Sequence, residues 1–216
     1  MSANVLCLFD LDGTLIDSER GILACMRHAF ACMGVEAPPA ETLRGWIGPP
    51  LRQTFPDVVG DDPARVEQAV CHYRERFDAV GWAEHEVYTG MPDLIEALAA
   101  DGHRLAIVTT KMRPQAERIV AHLPFGGAFA RVYGPDAEGR HCSKAAMIAA
   151  ALADFGAAPG DTAMIGDRRF DIEGARANAV AGIGVLWGFD SREELQAAGA
   201  DALARDPGHL GRLLTA

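Results

Sequence analysis

The chain has 216 residues, enough to bury a sizeable core without disulfide or metal staples. Its 20 basic and 30 acidic residues give a formal net charge of −10, which argues against a nucleic-acid footprint or an anionic membrane surface. The five cysteines (Cys7, Cys25, Cys32, Cys71 and Cys142) include no CxxC pair and no neighbouring histidine set, and the seven histidines are scattered, so neither a disulfide framework nor a structural zinc site is expected. In chain order, the apolar run NVLCLFD predicts a buried strand ending at Asp10 and Asp12. Residues 18–83 read as helices only: Ile22, Met26, Phe30 and Met33 repeat at helical spacing up to Gly34, and 64–80 predicts a second helix. From Val87 onward the rhythm alternates. A helix MPDLIEALAADG precedes a strand LAIVTT, a helix over 114–123, a strand ARVYG, a helix over 144–155, and strands TAMIGD and VAGIGVLWG.

Short continuous apolar strands separated by helices suit an α/β, doubly wound parallel sheet buried on both faces, a Rossmann-like core. That core is expected to comprise 1–17 and 87–216, interrupted after its first strand by a small helical insertion over 18–86. The chain meets Asp10 too early for a signal peptide and has no uncharged apolar run of membrane-spanning length, so a cytoplasmic protein without a membrane partner is expected.

Ligands of such sheets bind at the carboxyl ends of the strands. Four strand ends are polar here: Asp10 and Asp12; Thr109, Thr110 and Lys111; a loop GPDAEGRHCSK finishing on Lys144; and GDRRFD with Asp167 and Asp171. Each alone has an ordinary reading as a turn, a helix cap or a solvated first-turn lysine. Together they supply three kinds of phosphate-handling group. Asp10 and Asp12, two apart on an extended chain, share one face and can address one ligand. Crowded carboxylates without His or Cys suit Mg2+, with Asp167 as a third carboxylate. A phosphate on that ion would meet Thr109 and the ammonium of Lys144, which together make a phosphoryl-transfer site.

DLDGTL, a strand ending in Thr109, a lone Lys144 and GDRRFD, in that order, resemble the haloacid dehalogenase superfamily over nearly the whole chain. The insertion is similar to the small cap of its phosphoglycolate phosphatase and nucleotidase-like branch, as are IGPPL at 47–51, VYTGMPDLIEAL and VLWGFDSREEL. The resemblance implies a magnesium-dependent phosphatase of small phosphorylated metabolites, with Asp10 as nucleophile forming an aspartyl-phosphate and Asp12 as general acid, then base. It places Mg2+ on Asp10, the backbone carbonyl of Asp12 and Asp167, with Asp171 in support from the outer shell. Thr109 and Lys144 would hold the phosphoryl group.

Candidate substrate contacts are Thr110 and Lys111 beside that site, and Gly48 and Arg52 in the insertion, which would act as a lid. For Arg52 an exposed helix charge is an equal alternative, and Arg20 and Lys111 stay open in the same way. The chain departs from the family pattern at Ala145, where proline is common, at Thr110, where asparagine or serine is common, and at Asp190, a turn position often held by glycine and expected to need unusual backbone geometry. Cys25, Cys32, Trp46 and Trp187 are expected in the core. A phosphosugar mutase, a receiver-type signalling domain and a noncatalytic phosphate-binding protein are the competing readings, and the chain is expected to work as a monomer or small homo-oligomer.

Overall fold

A computed structural model describes residues 5–136 and 143–215; Cys142 and part of the predicted loop before Lys144 lie outside them. The elements in chain order are β1 (Leu6–Phe9), β2 (Ile16–Asp17), α1 (Glu19–Cys32), α2 (Ala40–Gly45), α3 (Leu51–Thr54), α4 (Pro56–Val59), α5 (Pro63–Ala79), β3 (Glu86–Val87), α6 (Met91–Ala100), β4 (Arg104–Val108), α7 (Arg113–Val120), β5 (Phe129–Tyr133), α8 (Lys144–Phe155), β6 (Thr162–Gly166), α9 (Arg169–Ala177), β7 (Ala181–Val185), α10 (Arg192–Ala198), β8 (Ala202–Ala204) and α11 (Pro207–Thr215). They divide into two compact units, Met1–Ile16 with Val87–Ala216, and Asp17–Glu86.

The first unit is built on a six-stranded sheet in the order β5-β4-β1-β6-β7-β8, every pair parallel. The chain adds β4 and β5 on one side of β1, then crosses to add β6, β7 and β8 on the other. The order therefore reverses at β1, and the crevice beyond its carboxyl end is where such sheets bind ligands. β1 is buried at all four positions, as a central strand covered by helices on both faces must be. Its alternate residues serve two layers: Leu6 and Leu8 join Ala106, Val108, Met147, Ile148, Met164 and Ala175 in one core, while Phe9 meets Phe129 edge-on at 6.0 Å.

Capping chemistry explains several helix ends. Ser143 accepts from the Ala146 N–H at 3.2 Å to start α8, and Gly156 ends it in left-handed geometry. Ser191 and Glu194 form a reciprocal capping box on α10. In the second unit Asp62 caps α5 ahead of Pro63, and α1 and α5 enclose a cluster of Phe30, Phe55, Tyr73 and Phe77.

Several details differ from the sequence expectations. β8 is a three-residue strand, ALA, with no β-branched or aromatic residue to announce it; pairing with β7 alone makes it a strand. The helix expected over 114–123 spans Arg113–Val120. Cys25 is buried but Cys32 is exposed, because it lies on the outer face of the last turn of α1. Trp46 and Trp187 are only half-buried, each keeping part of its large ring at the surface. Asp190 needs no special backbone: Ala179 is the one non-glycine residue with positive φ among those described. Instead Asp190 pairs with Arg168 at 2.8 Å and accepts from the Arg169 N–H at 2.8 Å. No described helix is long and apolar enough to cross a membrane.

Candidate active site

The strand ends of the first unit bring Asp10, Asp167 and Asp171 together, with one oxygen of each within 4.8 Å of the others and all three buried. Asp10 follows the last residue of β1, where its N–H still donates to Ile165 of the neighbouring strand at 2.9 Å. Its Oδ1 accepts from the Leu11 N–H at 2.7 Å and pairs with Lys144 Nζ at 2.9 Å. Lys144, in the first turn of α8, is buried rather than solvated. Its ammonium also donates to the Val108 carbonyl at 2.7 Å and lies 2.6 Å from Asp171 Oδ1, without the alignment of a hydrogen bond.

Asp167 is pinned at both oxygens, by the Thr14 hydroxyl at 3.0 Å and the Phe189 N–H at 2.9 Å. Asp171 accepts from the Arg168 N–H at 3.0 Å in the first turn of α9. Glycines make the room. A Cβ on Gly13, whose φ is +81°, would lie 2.2 Å from Asp167 Oδ2; one on Gly188 would lie 2.2 Å from Asp167 Cβ, and one on Gly166 2.2 Å from the Asp171 carboxyl. Gly13 and Gly166 stand inside the sequence motifs DLDGTL and TAMIGD, but only the backbone approach gives them a function.

Burial first, then Asp10 and Asp171, hold the Asp167 carboxyl well above the usual carboxylate range. Burial pushes Asp171 up to about 7, against the opposing charge of Lys144 and with the charge of Asp10 adding to the rise. Burial favours a neutral Lys144, yet Asp10 and Asp171 together keep its ammonium above the ordinary value. Three buried carboxylates thus face one ammonium, an excess of negative charge that a hard divalent cation would relieve. The oxygen-only donor set fits Mg2+, and Asp12 Oδ1, buried without a hydrogen-bond partner, adds a further unsatisfied oxygen at the same strand end.

Asp12 Oδ2 pairs with Lys111 Nζ at 2.9 Å. The Lys111 N–H in turn donates to the buried Thr109 hydroxyl at 3.2 Å, so Thr109, Lys111 and Asp12 form one connected group, with Thr110 half-buried beside them. The partnership of Lys111 with Asp12, far apart in sequence, is one that motif reading did not find. Trp187 Nε1 donates to the Thr14 carbonyl at 3.0 Å, supporting the turn that holds Asp167.

Gly48 and Arg52 belong to the second unit. Gly48 has φ +108°, and Arg52 makes a two-point ion pair with Glu67, through Nε to Oε1 and through its Nη2 to Oε2 at 2.9 Å. That pair holds the Glu67 carboxyl below the usual range. Arg20 is exposed and, with Arg27, His85 and Glu84, lines a cavity of about 400 Å³ in the same unit.

A reversal point in a parallel sheet, with three carboxylates and a buried ammonium at its carboxyl end, defines an α/β protein with an acidic, cation-ready site. The chain belongs to the haloacid dehalogenase-like hydrolases, whose family model matches residues 7–185. It is 43% identical over 190 residues to a 5'-nucleotidase of Pseudomonas aeruginosa, covering 88% of this chain and 86% of that protein. It is 36% identical over 184 residues to the tyrosine-protein kinase PtkA of Mycobacterium tuberculosis, covering 85% of this chain but only 62% of the kinase. A crystal structure described as a predicted phosphatase from Clostridium acetobutylicum superposes with a TM-score of 0.92 at 31% identity, over 99% of both chains.

Proposed function

We propose that this protein hydrolyses small phosphate monoesters with Mg2+, through an aspartyl-phosphate on Asp10, in the manner of a 5'-nucleotidase or a phosphoglycolate phosphatase. The observation that carries the reading is the asymmetric engagement of the two leading aspartates. Asp10 Oδ1 is held by Leu11 and Lys144, which leaves Oδ2 as the attacking oxygen. Asp12 Oδ2 is held by Lys111, which leaves the unpartnered Oδ1 to carry a proton.

In this mechanism Asp10 Oδ2 forms a bond to phosphorus as the ester P–O bond breaks, and Asp12 delivers its proton to the departing alkoxide. A water molecule then attacks the phosphorus, Asp12 takes its proton, and the Asp10–phosphate bond breaks to release inorganic phosphate. Lys144 and the Thr109 hydroxyl position the phosphoryl oxygens. Asp10, the Asp12 carbonyl and Asp167 would hold Mg2+, with Asp171 supporting from outside. The bound ion would supply charge neutralisation for the phosphoryl group and for the crowded carboxylates. The first unit carries this chemistry as the catalytic core, and residues 18–86 act as the cap that selects the substrate. The metabolite is small, with no nucleic-acid polymer or membrane as partner, and the setting is the cytoplasm.

The 5'-nucleotidase relative favours nucleoside monophosphates among the candidates. The test is a screen of purified protein with Mg2+ against nucleoside monophosphates, phosphoglycolate and sugar phosphates, followed by acid trapping and mass spectrometry. Phosphate release with the adduct on Asp10, abolished in Asp10→Asn, is the expected result. Asp12→Asn should slow turnover by about 10²–10⁴-fold while still allowing the adduct. An adduct on any other residue, activity that persists in excess chelator, or an isomerised sugar phosphate as the product would overturn the assignment. Phosphate transfer from ATP to a tyrosine peptide would redirect it toward the kinase relative.

A further inference from the structure

Asp190 stands at a turn position often held by glycine, and neither the phosphoryl group nor Mg2+ requires it directly. It lies in the first unit, in the segment that joins β7 to α10. Leu186 still donates its N–H to the Ala204 carbonyl of β8 at 2.9 Å, but from there to the start of α10 at Arg192 the chain is neither strand nor helix. Side chains anchor it instead. Trp187 Nε1 fastens the near end to the Thr14 carbonyl at 3.0 Å. Asp190 fastens the far end to the start of α9 at two points, Oδ1 on the Arg168 guanidinium at 2.8 Å and Oδ2 on the Arg169 N–H at 2.8 Å. The ion pair is sheltered, with the Arg168 and Asp190 side chains only 12% and 5% exposed. Between these anchors the loop meets Asp167: the Phe189 N–H donates to its Oδ2 at 2.9 Å, and a Cβ on Gly188 would lie 2.2 Å from Asp167 Cβ. The far anchor falls on residues 168 and 169, which lie between Asp167 and Asp171, and the Arg168 N–H itself donates to Asp171 Oδ2 at 3.0 Å. One side chain thus grips the backbone that carries two of the three clustered carboxylates.

We infer that Asp190 is a positioning residue for the carboxylate cluster: it clasps the loop after β7 to the start of α9, and so holds Asp167 and Asp171 in the arrangement that receives Mg2+. The inference rests on the proposal that this cluster binds Mg2+. Groups that orient metal-ligating side chains set metal affinity nearly as strongly as the ligands do. Glycine at 190 would supply neither acceptor, and it would leave the loop more backbone freedom to lose when Phe189 engages Asp167. A second effect is electrostatic. Asp190 answers the charge of Arg168, a sheltered cation next in sequence to Asp167; without that partner the guanidinium would compete with Mg2+ for the carboxylates. Asparagine at 190 separates the two effects, because its side-chain oxygen can still accept from the Arg169 N–H while the charge of Arg168 goes unanswered.

The test uses the whole chain and two readouts. In metal-free protein, amide exchange followed by NMR should be about 10-fold faster at Phe189 and Arg169 in Asp190→Gly than in the unmodified chain, as loss of a hydrogen bond to a charged acceptor requires. Calorimetric titration with Mg2+, at a temperature where every variant is folded, should give a dissociation constant about 10-fold weaker for Asp190→Gly, with Asp190→Asn between it and the unmodified chain. Asp206→Ala is the control for stability alone. It removes the acceptor of the His209 N–H at 2.7 Å, at the start of α11 in the same unit, and should lower the melting temperature while leaving the Mg2+ constant unchanged. If the unmodified chain binds Mg2+ but Asp190→Gly keeps the same constant, or the same exchange rates, the clasp alone is overturned. No Mg2+ binding by the unmodified chain would overturn the metal proposal, and this inference with it.

Discussion

Gly13→Ala tests whether the backbone at the end of β1 is shaped by the carboxylate it must admit. Two costs follow from the geometry. At φ +81° an L-residue sits in left-handed backbone, which costs about 1–2 kcal/mol. The new methyl would also lie 2.2 Å from Asp167 Oδ2, 2.6 Å from its Cγ and 2.7 Å from Phe189 Cδ2. Asp167 cannot swing aside cheaply, because Thr14 and Phe189 hold both its oxygens, so overpacking adds about 1–3 kcal/mol. Gly156→Ala is the matched control in the same unit: φ is +56°, but no atom lies within 4 Å of the added methyl, so only the backbone cost applies. The packing difference of about 1–3 kcal/mol corresponds to a melting temperature about 2–12 °C lower for Gly13→Ala than for Gly156→Ala. Parallel thermal melts measure it, and phosphatase assays at rising Mg2+ should show that only Gly13→Ala needs more metal. Equal melting temperatures, or unchanged Mg2+ dependence in Gly13→Ala, would refute the close-approach argument.

Lys144→Met removes the one ammonium between Asp10 and Asp171; urea unfolding in chelator should show a loss of about 3–5 kcal/mol, and if stability is unchanged the buried pairs carry no such weight. Mg2+ at about 100-fold over its dissociation constant should stabilise the unmodified chain by about 2.7 kcal/mol, read as a rise in melting temperature that Asp167→Asn abolishes. Arg52→Ala breaks an exposed ion pair with Glu67, so its stability should change by no more than about 1 kcal/mol. In substrate-by-substrate kinetics it should raise KM most for substrates that carry a second anionic group besides the phosphoryl, such as phosphoglycolate; equal effects on every substrate, or none, would remove Arg52 from substrate choice.

Local sequence carried the elements whose identity depends on short-range chemistry. The apolar run before Asp10 and the helix from 144 to 155 were both legible, because period and breakers are properties of neighbours in the chain. The identity of the site residues was legible too, as acidic and basic side chains at strand ends that the alternating pattern forces into one crevice. Pairwise partnerships were not. That Lys111 serves Asp12, that Asp190 answers Arg168 and needs no left-handed turn, and that Gly13 and Gly188 clear space for Asp167 depend on residues tens to more than a hundred positions apart. The same limit hid β8, which is a strand only because β7 offers it a ladder. Sequence determines which chemistry each segment can present; packing decides which groups are desolvated together, and there charge balance and steric room select the partners.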